Sequence, residues 1–241
     1  MNALVVGGSS GIGLSIAINL SECPEYEIVH VVDIKDYPAE FISDKIKFHR
    51  CDLCNGDWTI FIEIDDIQAL YITAGFGHLR LFQDYDESYI QNSFYVNALA
   101  PMQIIRHYYS ILCSRQSFHC AIMVSIAGKL CSPLFSIYSA TKAALSKFIE
   151  AVNIELEMQG YENRILEVSP GHIQGTSFSG GLSYPKQTEQ LANEIISRAQ
   201  QRETLFIPQY EEIYKDVIQR YQLDPHKFGK ESYAYKIQRL K

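Results

Sequence analysis

The chain has 241 residues, of which 47% are hydrophobic and 20% charged. This composition excludes an intrinsically disordered protein and allows one large hydrophobic core. Gly, Ser, Asp or Glu interrupts every apolar run before the ~20 residues that a membrane span needs, so we predict no membrane partner. The formal net charge is −7 and the basic residues are scattered, which disfavours nucleic acid as a partner.

The N-terminus and the cysteines indicate a cytoplasmic protein. The segment MNALVVGGSS has no basic region and no small-residue cleavage site, so it does not resemble a secretion signal. Six cysteines are too sparse for a disulfide scaffold, and we expect them to be thiols that fill the core. Cys51 and Cys54 have CxxC spacing, but no second Cys or His pair complements them, so we predict no metal site.

The apolar pattern predicts an α/β fold. No repeat, low-complexity tract or linker marks a boundary, so we expect a single domain over residues 1–241, with a helical tail of uncertain role at 209–241. Helix-length segments separate most of the apolar strands, which is typical of a doubly wound parallel sheet of about seven strands with helices on both faces, a three-layer sandwich. The predicted strands are Ala3–Val6, Ile28–Val32, Ile46–Phe48, Ala69–Ile72, Ala121–Val124, Ile165–Val168 and Leu205–Ile207.

A glycine-rich turn follows the first predicted strand and precedes an amphipathic helix. Glycine lets a backbone approach a pyrophosphate closely, and the N–H groups at a helix start attract negative charge. The predicted cofactor-binding residues of this turn are Gly7, Ser9, Ser10, Gly11, Ile12 and Gly13. A simple chain reversal is the alternative interpretation.

Asp33 ends the second predicted strand, 20 residues after Gly13. A carboxylate at this place can accept hydrogen bonds from the ribose hydroxyls of a dinucleotide, although an Asp there can also be an ordinary turn residue. The carboxylate should repel a 2′-phosphate. The sequence therefore predicts dinucleotide binding on a Rossmann-like sheet, with NAD(H) preferred over NADP(H).

Three further elements supply candidate reacting groups. Tyr138 and Lys142 are four residues apart, which on a helix places them on one face, although an incidental surface pair would look the same. Ser125 follows the fifth predicted strand and should lie at the carboxyl edge of the sheet. Pro101 cannot donate to the carbonyl of Asn97, which is left free to hold a water, unless the proline only marks a packing kink.

Together these residues resemble the short-chain dehydrogenase/reductase family in its classical form, from Met1 to about Pro208. The resemblance implies a catalytic tetrad of Asn97, Ser125, Tyr138 and Lys142. It also implies hydride transfer between nicotinamide C4 and a secondary alcohol or ketone, and a homodimer or homotetramer formed through helices near 98–113 and 137–158. Beyond the turn and Asp33, the cofactor contacts that it implies are Asp52, Leu53, Ala74, Gly75, Tyr138, Lys142, Pro170, Gly171, Ile173 and Thr176.

In this interpretation Tyr138 is the general acid/base, and the ammonium of Lys142 together with the positive nicotinamide lowers its pKa. The family's substrate loop corresponds to Ser177–Pro185, with Gly180 and Gly181 as a hinge. The residues expected around the substrate are Phe76, His78, Phe135, His172, Phe178 and Tyr184, a set compatible with a cyclic alcohol, a sugar-like compound or a small ketone. A non-catalytic dinucleotide-binding redox sensor or regulatory protein is the alternative function, because a sensor needs only the cofactor half.

Departures from the family pattern lead to three expectations. The family often has Thr at the position of Val6 and Asn at the positions of Ile72 and Thr73, so the hydrogen bonds that brace the turn must come from elsewhere. The segment from Asp52 to Asp66 is short, which predicts an abbreviated helix. Periodic apolar residues at 213, 217 and 221 predict one more helix in the tail.

Overall fold

A computed structural model describes residues 1–56, 58–176 and 183–238. In these ranges seven strands form one parallel sheet in the order β3-β2-β1-β4-β5-β6-β7. This order confirms the predicted Rossmann-like α/β fold. The strands are β1 Asn2–Val6, β2 Ile28–Asp33, β3 Ile46–Arg50, β4 Ala69–Ile72, β5 His119–Met123, β6 Ile165–Val168 and β7 Leu205–Phe206.

Helices cover both faces of the sheet. Within each strand alternate side chains face opposite sides, so Leu4 and Val6 pack against the helices Ala100–His107 and Ser136–Met158, whereas Ala3 and Val5 pack against the helices Gly11–Glu22 and Pro185–Gln200. The described α-helices are α1 Gly11–Glu22, α2 Thr59–Glu63, α3 Glu87–Phe94, α4 Ala100–His107, α5 Tyr109–Leu112, α6 Ser136–Met158, α7 Pro185–Gln200, α8 Lys215–Leu223 and α9 Pro225–Ile237.

The structure refines the predicted boundaries near the functional edge. The fifth strand begins at His119 and ends at Met123, so Ser125 lies two residues beyond the strand rather than at its last position. As expected, the helix after β3 is short, with five residues.

The helix around Asn97 widens instead of breaking. Tyr95–Leu99 forms a π-helical turn between α3 and α4, with Pro101 in the first turn of α4. A π-turn is a common way to absorb a local disruption of the helical hydrogen bonds, and such turns are frequent at functional sites. Pro101 therefore follows a widened turn.

The tail contains two helices, where the sequence predicted one. A π-helical turn at Tyr210–Tyr214 leads into α8, and Asp224 starts α9 by accepting a hydrogen bond from Lys227 N (2.9 Å). The second helix has a weakly amphipathic sequence, with Gly229 as its one buried residue, so apolar periodicity did not reveal it.

The cysteines are less buried than expected. Cys51 and Cys120 are buried, and half-buried Cys23 and Cys113 pack against the core, whereas Cys54 is half-buried away from these clusters and Cys131 is exposed, so the expectation of core thiols was wrong for the last two. Among the described residues no group of three or more His, Cys, Asp or Glu side chains is placed to hold a metal ion. None of the described helices is long and apolar enough to cross a membrane.

Candidate active site

The parallel strands deliver the predicted site residues to one edge of the sheet. The turns after β1, β4, β5 and β6 all leave the carboxyl ends of neighbouring strands. Ligands of open α/β sheets bind at this edge.

The turn after β1 is closely packed against the turn after β4. Gly7 has a φ of +88°, and a Cβ on it would overlap the backbone nitrogen of Ala74. A Cβ on Gly13 would overlap Gly7 O. Both positions therefore require glycine.

The Thr73 hydroxyl supplies the hydrogen bonds that brace the glycine turn in place of those usual in the family. This hydroxyl lies 3.1 Å from Val6 O and 3.0 Å from Gly7 O, and it donates to this pair of carbonyls. This contact ties β4 to the first residue of the glycine turn. The sequence marked Thr73 only as a departure and did not reveal this role.

Asp33 lies beside the glycine turn, where the sequence predicted it. Its Oδ2 accepts from Ser9 N (2.9 Å) and its Oδ1 from Lys35 N (2.9 Å). The Ser9 hydroxyl is buried and has no hydrogen-bond partner among the described residues. A buried hydroxyl without a partner costs free energy, so a ligand hydroxyl or phosphate oxygen fits this place.

The start of α1 and the segment after β6 lie together. Gly11 N donates to Ser183 Oγ (2.9 Å), and a Cβ on Gly11 would lie 3.6 Å from Thr176 Cβ. The Thr176 hydroxyl donates to Ile173 O (3.0 Å). These contacts place Ile173 and Thr176 next to the glycine turn. The predicted loop residues 177–182, which include Phe178, Gly180 and Gly181, lie outside the described residues.

The adenine-side candidates follow β3, at the same edge. Asp52 Oδ1 accepts from Cys54 N (2.9 Å), so this carboxylate shapes its own turn. The Leu53 side chain is buried in the core.

Tyr138 and Ser125 meet through their hydroxyls. Tyr138 is in the first turn of α6, and its side chain is hydrogen-bonded to Ser125. Ser125 Oγ also accepts from Ala127 N (3.1 Å) and donates weakly to Pro170 O (3.4 Å). The predicted convergence of the two hydroxyls is therefore present in the structure.

The pKa of Tyr138 is shifted in the direction opposite to our expectation. Burial raises the pKa to about 12, and the hydrogen bond with Ser125 opposes this shift without cancelling it. The ring is enclosed because Phe135 lies 5.9 Å away between centroids and Gly77 packs directly on it. A Cβ on Gly77 would lie 2.6 Å from Tyr138 Cδ2, a role for this glycine that the sequence analysis missed.

Lys142 is buried next to the Tyr138 ring. Its Nζ donates to Met123 O (2.9 Å) and lies 5.8 Å from the centre of the Tyr138 ring. Burial lowers the pKa of Lys142 to about 7. Burial therefore favours the neutral form of both side chains.

Asn97 clamps the turn after β4 with its side chain. Its Oδ1 accepts from Phe76 N (2.9 Å) and its Nδ2 donates to Phe76 O (2.8 Å) and to Thr141 Oγ1 (3.2 Å). A Cβ on Gly75 would lie 3.2 Å from both Asn97 Oδ1 and Lys142 Nζ. The sequence indicated Asn97 but not this clamp, because the partner atoms are in the backbone of Phe76.

Aromatic side chains line the approach to Tyr138. Phe76 and Tyr89 pack edge to face at 5.6 Å, and Tyr89 lies 5.5 Å from His78 between ring centroids. Tyr89 Oη also accepts from His78 N (2.9 Å). The sequence predicted Phe76, His78 and Phe135 for this wall and missed Tyr89.

Comparisons with known proteins agree with this geometry. A family model described as short chain dehydrogenase matches residues 1–186. The uncharacterized oxidoreductase TDA5 of Saccharomyces cerevisiae is 25% identical over 186 residues, or 73% of this chain and 56% of its own length. The chain thus spans little more than half of that relative.

Two solved structures share the fold but hold different cofactors. A short-chain dehydrogenase/reductase from Burkholderia phymatum in complex with NAD has a TM-score of 0.79 and 17% identity, covering 92% of this chain and 93% of that one. An alcohol dehydrogenase from Thermococcus sibiricus complexed with 5-hydroxy-NADP has a TM-score of 0.69 and 17% identity, covering 86% and 94%. The fold alone therefore does not select between NAD and NADP.

Proposed function

The chain belongs to the short-chain dehydrogenase family of oxidoreductases, and we propose that it uses NAD(H) to interconvert a secondary alcohol and its ketone. When bound, the nicotinamide ring supplies the hydride donor or acceptor. The observation that carries the proposal is the hydrogen-bonded pair of Ser125 and Tyr138 above buried Lys142, at the edge of the sheet that holds the glycine turn.

Tyr138 is proposed as the general acid/base. With a pKa of about 12 its oxygen carries a proton at neutral pH, so it can donate this proton to a carbonyl oxygen that is gaining negative charge. Ser125 donates a second hydrogen bond to the same oxygen and stabilises its charge. In alcohol oxidation the proton moves in the opposite direction.

Lys142 and Asn97 are proposed to support this proton transfer from below. Lys142 holds the ribose next to the nicotinamide and its charge adjusts the acidity of Tyr138. Asn97 holds the Phe76 backbone, and thus the turn that contains Gly75, in place around the Lys142 ammonium. Asn97 also anchors the water through which we propose that the proton reaches solvent.

The cofactor preference is proposed from Asp33 and its surroundings. Asp33 and the unpartnered Ser9 hydroxyl offer an acceptor and a donor to ribose hydroxyls, and a carboxylate here repels a 2′-phosphate. The bond from Gly11 N to the Ser183 hydroxyl supports phosphate binding at this turn, because that N–H already meets an oxygen acceptor. We propose contacts with the adenosine half at Asp52, Leu53, Ala74 and Gly75, and contacts with the nicotinamide end at Pro170, Gly171, Ile173 and Thr176.

The assembly is proposed to be a homodimer or homotetramer. Leu99 precedes α4, and Ile154 and Met158 lie on α6; their side chains are 43%, 55% and 81% exposed. We propose that these three side chains lie in an interface between copies. Light scattering that gives the mass of a monomer would contradict this proposal.

The test of the function compares Tyr138→Phe with the matched control Tyr233→Phe, which changes an exposed tyrosine of α9. Secondary alcohols and ketones are screened by NADH absorbance. We expect Tyr138→Phe to lower turnover by about 10²-fold or more, the usual contribution of a general acid, while the affinity for NADH, measured by fluorescence, is retained.

Near-normal turnover by Tyr138→Phe would remove the proposed mechanism. If the wild-type protein binds NADH tightly but turns over no compound of a broad panel, the result favours the redox sensor or regulatory protein instead. Equal turnover with NADH and NADPH would refute the proposed role of Asp33.

A further inference from the structure

The C-terminal segment contacts both loops that flank Tyr138 and Ser125. We propose that residues 209–237 form a clasp that positions these two loops, with Tyr214 and Lys236 as its two contact residues. The clasp acts on the site named under the proposed function and rests on it. The family model ends at residue 186, so the clasp lies outside the matched region.

Tyr214 is the first contact residue of the clasp. Gln209 has a φ of +58°, a left-handed conformation that turns the chain into the π-helical turn ending at Tyr214. The Tyr214 hydroxyl accepts a hydrogen bond from the backbone N–H of His172 and lies so close to Gly171 that a Cβ there would overlap it. A Cβ at position 171 would therefore have to displace the Tyr214 ring.

Lys236 is the second contact residue, at the far end of α9. Its Nζ donates to Ser132 Oγ (2.6 Å) and Pro133 O (3.4 Å), and it lies 5.6 Å from the centre of the Phe135 ring. Half-burial lowers the pKa of Lys236, because its ammonium loses part of its hydration where it contacts the loop. The contact therefore fixes the loop that precedes α6.

The loop held by Lys236 is strained. Leu134 has a φ of +67°, a conformation that a leucine adopts only when its surroundings impose it. From the other side Leu134 O accepts from Arg80 N (2.9 Å) and Tyr85 Oη (3.2 Å). Removing the Lys236 contact should let the loop relax.

The two contact residues are joined by a helical hairpin formed by α8 and α9. Arg220 of α8 pairs with Glu231 of α9 at 2.7 Å, and the rings of Tyr221 and Phe228 pack edge to face at 5.6 Å. Asp224 caps the turn between the helices. The hairpin therefore connects the two loops through contacts between α8 and α9.

Each contact residue is connected to a candidate catalytic side chain through the residues that lie between them. Gly171 follows Pro170, whose carbonyl accepts from Ser125 Oγ. Phe135 packs on the Tyr138 ring. The clasp therefore sets the relative position of the two hydroxyls, on which the proton transfer depends.

Two conservative variants test the clasp: Tyr214→Phe, which removes one hydroxyl, and Lys236→Met. Their matched controls are Tyr233→Phe and Lys230→Met, exposed positions on α9. We expect each clasp variant to lower kcat about fivefold, the effect of one lost hydrogen bond, with the Kd for NADH changed less than kcat. Hydrogen exchange should rise in peptides covering 170–176 for Tyr214→Phe and 131–135 for Lys236→Met.

A suppressor pair makes the contact itself testable. Gly171→Ala should lower kcat more than Tyr214→Ala does, and the double variant should recover part of the loss because the added methyl group then has space. If clasp variants and controls have the same kcat and hydrogen exchange, and the double variant shows no recovery, the clasp is refuted.

The two proposals fail in distinguishable ways. If the wild-type protein does not bind NADH, or if Tyr138→Phe remains active, the proposed function fails. In that case the exchange of the two peptides still reports whether Tyr214 and Lys236 hold these loops.

Discussion

Replacing the buried Lys142 with methionine should remove activity and at the same time stabilise the ligand-free protein at low pH. In the fold, burial lowers the pKa of Lys142 from 10.5 to about 7. The unfolded chain therefore binds this proton up to about pH 10.5, whereas the folded protein releases it near pH 7. Between these values the unfolded state binds more protons, so this group's contribution to stability rises with pH.

The size of the effect follows from the two pKa values. A difference of about 3.5 corresponds to ~5 kcal/mol of destabilisation when the lysine is charged in both states, as an upper estimate. Between pH 6 and pH 9 the free energy of unfolding of the wild-type protein should rise by roughly 3 kcal/mol, which recovers part of this destabilisation. The lost bond to Met123 O costs Lys142→Met about 1 kcal/mol, which does not depend on pH.

The measurement is thermal unfolding of wild-type protein and Lys142→Met at pH 6 and pH 9, without cofactor. The Tm advantage of the variant should shrink by roughly 5 to 10 °C from the lower to the higher pH, since ~1 kcal/mol is worth 2–4 °C in a protein of this size. Lys147→Met, at an exposed position of the same helix, should show no such change. An advantage that stays constant or grows with pH would refute the assignment of Lys142 as a desolvated cation.

Three further predictions concern the cofactor turns and the Tyr138 ring. Asp33→Ala should raise kcat/KM with NADPH relative to NADH by about tenfold, equivalent to ~1.4 kcal/mol, as measured by steady-state kinetics with both cofactors; an unchanged ratio would contradict the repulsion argument. Thr73→Val keeps the shape but removes the hydroxyl that braces Gly7 O, so urea unfolding should show a loss of about 1 kcal/mol and NADH should bind more weakly. Gly77→Ala should displace the ring of Tyr138 and lower kcat about tenfold at unchanged NADH affinity; unchanged kcat would show that the close contact has no catalytic role.

The sheet was predictable because its central strands, β1, β4, β5 and β6, are almost wholly buried. Val5, for example, pairs with Val31 on one side and Tyr71 on the other, and a strand covered on both faces is apolar at nearly every position. The start of β5 was predicted two residues too late, because His119 and Cys120 are buried without belonging to the β-branched pattern. The second helix of the tail, α9, was not predicted, since it is held by polar contacts such as that of Lys236 with Ser132.

Within the candidate site, the meeting of the Tyr138 and Ser125 hydroxyls was predictable, but the backbone contacts around them were not. Tyr138, Ser125 and Lys142 were indicated by spacing and by their place after a strand or on a helix. The clamp on Phe76 and the overlap of Gly171 with Tyr214 involve backbone atoms or distant segments, which leave no local pattern in the sequence. Burial raises the pKa of Tyr138 in this fold, an effect that the sequence did not reveal because it showed a cation four residues away but not how deeply the two side chains are buried.

One physical cause shifts both ionisable groups of the site. Burial raises the pKa of Tyr138 and lowers that of Lys142, so in both cases it favours the neutral form. Because burial favours the neutral form of Tyr138, the proton that the proposed mechanism gives to a ketone already lies on its oxygen at neutral pH. A hydrogen bond between the neutral Tyr138 and Ser125 hydroxyls depends on the distance and angle between them. The proposed clasp and the Asn97 side chain therefore have the same consequence, because both hold the backbone around these two hydroxyls in place.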